Sequence, residues 1–140
     1  PPGVWLAIQG QLAWPPILIA CAVVFWVAGF DIIYSCQDYE FDRQQRLWSV
    51  PAVFGIKNAL WLAAGSHGLM VLCLAGLPFL FSGFGWLYWG GLVLVALLLI
   101  YEHLLVRPND LRRVNEAFFH VNAVVSVGLL IIGSIDIWLL

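Results

Sequence analysis

Residues 31–42 read DIIYSCQDYEFD. If this stretch is helical, each residue turns it about 100°, so Asp31, Asp38 and Asp42 fall within roughly 40° of one another. Tyr34 joins that stripe at its edge, while Glu40 and Arg43 point elsewhere. Carboxylates aligned so narrowly repel one another unless a cation neutralises them. Asp38 and Asp42, one turn apart, suit Mg²⁺, a hard ion that takes one or two carboxylates together with water and substrate phosphate oxygens. Arg43, Arg46 and Lys57 follow closely and offer charge-assisted hydrogen bonds to phosphate. Asp31 lies about 10 Å deeper than Asp38 along such a helix. An ionisable group at that depth in an apolar helix is costly and points to function. The plainer alternative is an acidic cap on a loop, with Asp31 paired to a polar neighbour. Carboxylates, a divalent ion and basic side chains in one place suggest an enzyme that binds a diphosphate carrying a lipid tail.

The stripe closes the apolar run ILIACAVVFWVAGF. Of the 140 residues 63% are apolar and only 10% charged, with a mean hydropathy of +0.95. Soluble domains carry about 45–50% apolar and about 25% charged residues. A chain this short cannot hide so much apolar surface in its own core, so lipid must be the solvent for much of it. The net charge is −2 and there is no basic run, which argues against a nucleic-acid partner. Cys21, Cys36 and Cys73 show no metal-type spacing and read as small packing residues. The opening at Pro1, with neither an initiator methionine nor a charged leader, reads as a piece of a longer protein cut inside a hydrophobic segment.

These features predict an all-α polytopic transmembrane bundle. Residues 3–14 are too short to cross a bilayer and read as a truncated helix, ended by Pro15-Pro16, which can also open the next helix. One span begins at Ile17 and can continue helically through Asp42. Ser49 is placed to cap a new helix. Further spans are predicted over 59–81, 86–106 and 117–140, separated by an uncharged turn at Ser82–Gly85 and a stop at Arg107-Pro108-Asn109-Asp110, where Asn109 or Asp110 can cap the last helix. Trp48, Trp61, Trp86, Tyr88, Trp89, Tyr101 and Trp138 crowd the predicted ends as interfacial belts do. Arg43, Arg46 and Lys57 fall on the same side as Arg107, Arg112 and Arg113. The positive-inside rule therefore puts them, and the aspartates, in the cytoplasm.

The stretches GFDIIYSCQDYEFD, RLWSVPAVFGIKNAL and YEHLLVRPNDLRRVNEAFFHVN resemble the intramembrane aromatic prenyltransferases of the UbiA superfamily, most closely the bacterial 4-hydroxybenzoate polyprenyltransferases. The resemblance covers essentially all of residues 1–140. It implies the C-terminal portion of a single nine-helix domain: one truncated helix plus four spans. It implies transfer of a polyprenyl group from a prenyl diphosphate to 4-hydroxybenzoate or a related quinone precursor of ubiquinone or menaquinone synthesis, in the bacterial cytoplasmic membrane. Asp38 and Asp42 match the family's second aspartate motif and would hold Mg²⁺. Asp31 and Tyr34 match positions where acceptor and reactive carbon meet. Lys57, Arg43 and Arg46 are the candidate diphosphate contacts. The chain departs from the family at Arg46, where relatives often carry Gly, and at Val53, where they carry a basic residue. The family's first aspartate motif is absent, so a chain of these residues alone is expected not to turn over substrate.

Asn115, Asn122 and Ser126 repeat the spacing of the aspartates on the last helix. They can line a pocket, reach the Asp42 loop, or bond between helices. Glu102 and His103 are expected in an interfacial ion-pair cluster beside Arg107. His67, among Gly65, Ser66 and Gly68, is expected at a close helix contact. His120 is expected to be structural or interfacial, and Asp136, near the far membrane face, interfacial. A transporter with an aspartate relay is the rival function, weakened because transport sites lie nearer the midplane between broken helices. A non-catalytic membrane subunit, or a prenyltransferase acting on haem or a chlorin, are the others.

Overall fold

A computed structural model describes residues 1–139, and among them four helices are long and apolar enough to cross a membrane. A short helix α1 (Pro2–Gln9) stops where Gly10 adopts a left-handed conformation at φ 69°, which glycine accepts without steric cost. Helix α2 (Trp14–Ser35) starts with its prolines in the first turn, where their missing N–H groups are no loss. A three-residue 3₁₀ turn, Cys36–Asp38, follows it directly, then α3 (Tyr39–Gln44). The whole stretch Trp14–Gln44 forms one spanning unit of 31 residues.

Ser49 caps α4 (Val50–Phe54), its hydroxyl accepting from the Ala52 N–H at 3.3 Å. Helix α5 (Ile56–Leu80) and α6 (Trp86–Leu105) flank the uncharged turn, close to the limits predicted. After the loop at Arg107 come α7 (Val114–Glu116), a π-helical turn Ala117–Val121, and α8 (Asn122–Leu139).

Helices α2 and α5 form the most extensive interface in the bundle. Two apolar clusters lie along it. One gathers Ala22, Met70, Leu74, Tyr88, Val95 and Val125, and the other Ile33, Cys36, Ala59, Ala63, Val106 and Val114. Most remaining apolar side chains point outward, as expected where lipid is the solvent. Trp48, Trp61, Trp86 and Trp138 are all strongly exposed at helix ends. Tyr88 departs from that belt. It is buried, and its hydroxyl donates to the Leu74 carbonyl at 2.8 Å.

Two further polar residues differ from expectation. Asp136 is buried rather than interfacial, and its carboxylate accepts the Gly85 N–H at the start of α6. Asp110 engages Arg112 rather than capping a helix directly: its Oδ1 accepts from the Arg112 backbone N–H at 3.2 Å and from its Nε at 3.1 Å.

Candidate functional site

The 3₁₀ turn decides how the aspartates are displayed. A 3₁₀ helix advances about 120° per residue rather than about 100°, so three residues add roughly 60° to the helical phase. Asp31 and Asp38 stay on the open face of the unit, with Tyr34 half-exposed beside them. Asp42 is swung toward the packed side and retains only 8% of its exposure. The stripe is thus wider than uniform helical geometry implies. Among the described residues none forms an ion pair with these three carboxylates.

The cations gather unevenly. Arg43 lies in the last turn of α3, where its Nη1 donates to the Tyr39 hydroxyl at 3.1 Å and its guanidinium lies over the Tyr39 ring. Arg46 sits in the following turn with φ 56°, an unusual conformation for a side chain with a Cβ. Lys57 lies in the first turn of α5, on a groove it shares with His103, Arg107 and Pro108.

Helices α7 and α8 reach this region through amides. Gln37 Nε2 donates to Asn115 Oδ1 at 3.4 Å, one residue from Asp38. Trp26 Nε1 donates to Asn122 Oδ1 at 3.0 Å, deeper along α2. Both asparagines therefore make interhelical hydrogen bonds to the aspartate-bearing unit. Ser126 bonds back to the Asn122 carbonyl at 2.7 Å.

The donor set fits a hard divalent ion in part. Two carboxylates one turn apart can supply two oxygen ligands, and Mg²⁺ commonly takes no more from protein. No group of three or more His, Cys, Asp or Glu side chains able to hold a metal occurs among the described residues, so the remaining ligands must be water, substrate or other protein.

Sequence reasoning missed the clearest polar cluster in the interior. Glu102, expected beside Arg107, is fully buried. Its Oε2 lies 3.7 Å from Nδ1 of His67, which in turn stands 3.1 Å from Nε2 of His103. One imidazole must donate and the other accept across that distance. Neither Glu102 oxygen has a hydrogen-bond partner among the described residues. His67 does mark a close helix contact, but through Gly29 of α2: a Cβ there would overlap the imidazole ring. Gly65 and Gly68, by contrast, face open space. The i, i+36 separation of His67 and His103 carries no periodic signal that could have revealed the pair.

These features define a polytopic helical membrane protein with an acidic, arginine-flanked edge at one end of its longest span. Residues 1–124 match the UbiA prenyltransferase family, and the chain belongs to it. A 4-hydroxybenzoate octaprenyltransferase of Methylobacillus flagellatus is 29% identical over 132 residues, 92% of this chain and 44% of that protein. The enzyme of the same name from Xanthomonas oryzae is 27% identical over 135 residues, 94% of this chain and 44% of that protein. A digeranylgeranylglyceryl phosphate synthase of Natronomonas pharaonis is 35% identical over 82 residues, 59% of this chain and 29% of that protein. The chain thus spans less than half the length of these relatives. No solved structure matches it.

Proposed function

We propose that this chain supplies the second aspartate motif of an intramembrane prenyltransferase that moves a polyprenyl group from its diphosphate to an aromatic acceptor, 4-hydroxybenzoate or a related quinone precursor. The observation that carries this reading is the open acidic face of the Trp14–Gln44 span, bearing Asp31 and Asp38, with Arg43 and Arg46 at its end, in a chain of the UbiA family. The aromatic acceptor is favoured because relatives named for 4-hydroxybenzoate align over 92% of the chain, against 59% for the digeranylgeranylglyceryl phosphate synthase.

Asp38 and Asp42 are the residues that would hold Mg²⁺, an ion that neutralises a diphosphate and stabilises the charge it gains on leaving. Arg43 and Arg46 meet diphosphate oxygens the carboxylates cannot approach. The allylic carbon–oxygen bond breaks with its electron pair passing to the diphosphate. A ring carbon of the acceptor then bonds to the allylic carbon and releases its proton. Asp31 and Tyr34, deeper on the same face, border the place where these carbons meet, and the Asp31 carboxylate there favours positive charge on the allyl group. The apolar crevice of about 370 Å³ lined by Trp26, Met70, Tyr88 and Leu129 offers room for the prenyl tail. The grouping of Arg43, Arg46, Lys57, Arg107, Arg112 and Arg113 supports a cytoplasmic location for this end, in a bacterial inner membrane.

The deciding experiment is an assay of the full-length protein with polyprenyl diphosphate and 4-hydroxybenzoate. Transfer is expected to need Mg²⁺ and to collapse in Asp38→Ala and Asp42→Ala. Undiminished transfer by either variant, or in excess chelator, overturns the reading.

A further inference from the structure

Helices α5 and α6 touch at two levels, where Tyr88 bonds to Leu74 and where His67 meets His103. Along their outer edges a groove stays open. Its inner part encloses about 670 Å³ between Gly65, Gly68, Leu72 and Ile100, with His67 and His103 in its wall. Its outer part, about 330 Å³, shares Ala64 and His103 with the inner one and ends at Lys57, Arg107 and Pro108. The floor is bare backbone: a Cβ at Gly65 or Gly68 would meet nothing within 4 Å.

Charge is distributed one way along this groove. Lys57 and Arg107 stand at its mouth, and among the described residues neither is in an ion pair. Asp110, the acid nearest Arg107 in sequence, is occupied by Arg112. The first turn of α5 at the same mouth contains no acidic residue, so its positive dipole end is uncompensated. Inward of His103 the walls are apolar, and no carboxylate lines either part. A diphosphate chelated to a metal needs carboxylates for its ion. A phosphodiester needs only the cations.

We propose that the α5–α6 groove binds an anionic phospholipid of the bilayer, with its phosphate between Lys57 and Arg107 and one acyl chain laid past His103 onto Gly65 and Gly68. Basic pockets between membrane helices recognise such headgroups. The groove is separate from the aspartate edge: Gly29 turns the packed side of α2 toward His67, whereas Asp31, about 200° further round that helix, opens away from it. Lys57 is the residue for which the two sites compete, and the groove claims it for the lipid.

The test uses the delipidated full-length protein in neutral detergent, with phosphatidylglycerol, phosphatidylcholine, inorganic phosphate or geranyl diphosphate added separately. Native mass spectrometry reads retained lipid and thermal unfolding reads stabilisation. Phosphatidylglycerol is expected to be retained and to raise Tm, phosphatidylcholine and inorganic phosphate not. Arg107→Gln is expected to weaken phosphatidylglycerol retention about fivefold, the equivalent of one basic residue near the headgroup, with prenyl transfer unchanged. Gly68→Leu starts from a Cβ in open space and projects into the floor, and is expected to abolish retention, with Gly65→Leu as a second variant should the first fail to fold. Equal retention of both lipids, equal stabilisation by phosphate alone, or displacement of phosphatidylglycerol by geranyl diphosphate with a raised KM in Arg107→Gln each overturns the proposal. Asp38→Ala is expected to lose transfer and keep the lipid, so the two readings fail separately.

Discussion

Asp38 and Glu102 are both carboxylates in a helical membrane protein, and their surroundings are opposite. Asp38 stands exposed at the end of a span, beside arginines it does not touch. Glu102 is sealed inside, its nearest cation-forming neighbour the His67 imidazole at 3.7 Å. The same spanning unit Trp14–Gln44 divides the two settings, presenting Gly29 and Ile33 to the interior and Asp31 and Asp38 to the open side. An acid left unpaired and accessible is available to an outside ion. An acid enclosed beside two imidazoles is out of reach of such an ion, and disturbing the packing around it costs stability before it costs chemistry.

The contrast can be broken most forcefully at the open acids. Replacing Asp38 by Ala is expected to lower prenyl transfer by the full-length protein about a hundredfold or more, since metal-assisted charge stabilisation is worth several kcal/mol. Its Tm should hardly move. A destabilised but active variant would erase the distinction. At the enclosed cluster the pattern should reverse. His67→Ala removes a buried ring packed against Gly29 and His103 and is expected to cost roughly 3 kcal/mol of stability, read as a lowered Tm, while transfer per folded molecule falls far less than in Asp38→Ala.

A finer division separates the glycines. Gly29→Ala drives a methyl into the His67 ring and is expected to destabilise by about 1–3 kcal/mol. Gly68→Ala meets open space and is expected to be neutral or to gain up to about 1 kcal/mol from helix propensity. Thermal unfolding of the two variants side by side decides it. The smallest effect belongs to Asp110. Hydrogen bonds from the Arg112 backbone N–H, then from its guanidinium, hold the Asp110 carboxyl below the usual carboxylate range. A lowered folded-state pKa stabilises the loop above the ordinary carboxylate pKa, and that gain is lost as pH falls through the lowered value. The protection of the Arg112 N–H against hydrogen exchange, taken relative to its intrinsic rate at each pH, should therefore fall in acid, and Asp110→Asn should flatten that dependence.

Much of this was legible from residue types alone. The spans, the Ser49 cap and the uncharged turn follow from hydropathy and capping chemistry, which act locally. The aspartate stripe was only half legible. Its periodicity assumed one helical pitch, and the 3₁₀ turn at Cys36–Asp38 rotates Asp42 inward. The partners of Glu102, Asp136 and Tyr88 were not legible at all. Asp136 and Tyr88 bond to, and Glu102 lies against, a residue on another helix or turn, and such a pairing depends on how helices cross rather than on any repeat within one of them.

Gly29 carries no side chain and no chemistry, yet it fixes how far α2 can approach α5. Anyone transplanting residues 31–42 into a foreign bundle would therefore carry over the acids without the spacing that aims them. A usable graft has to begin upstream, with that glycine and an imidazole to rest against it.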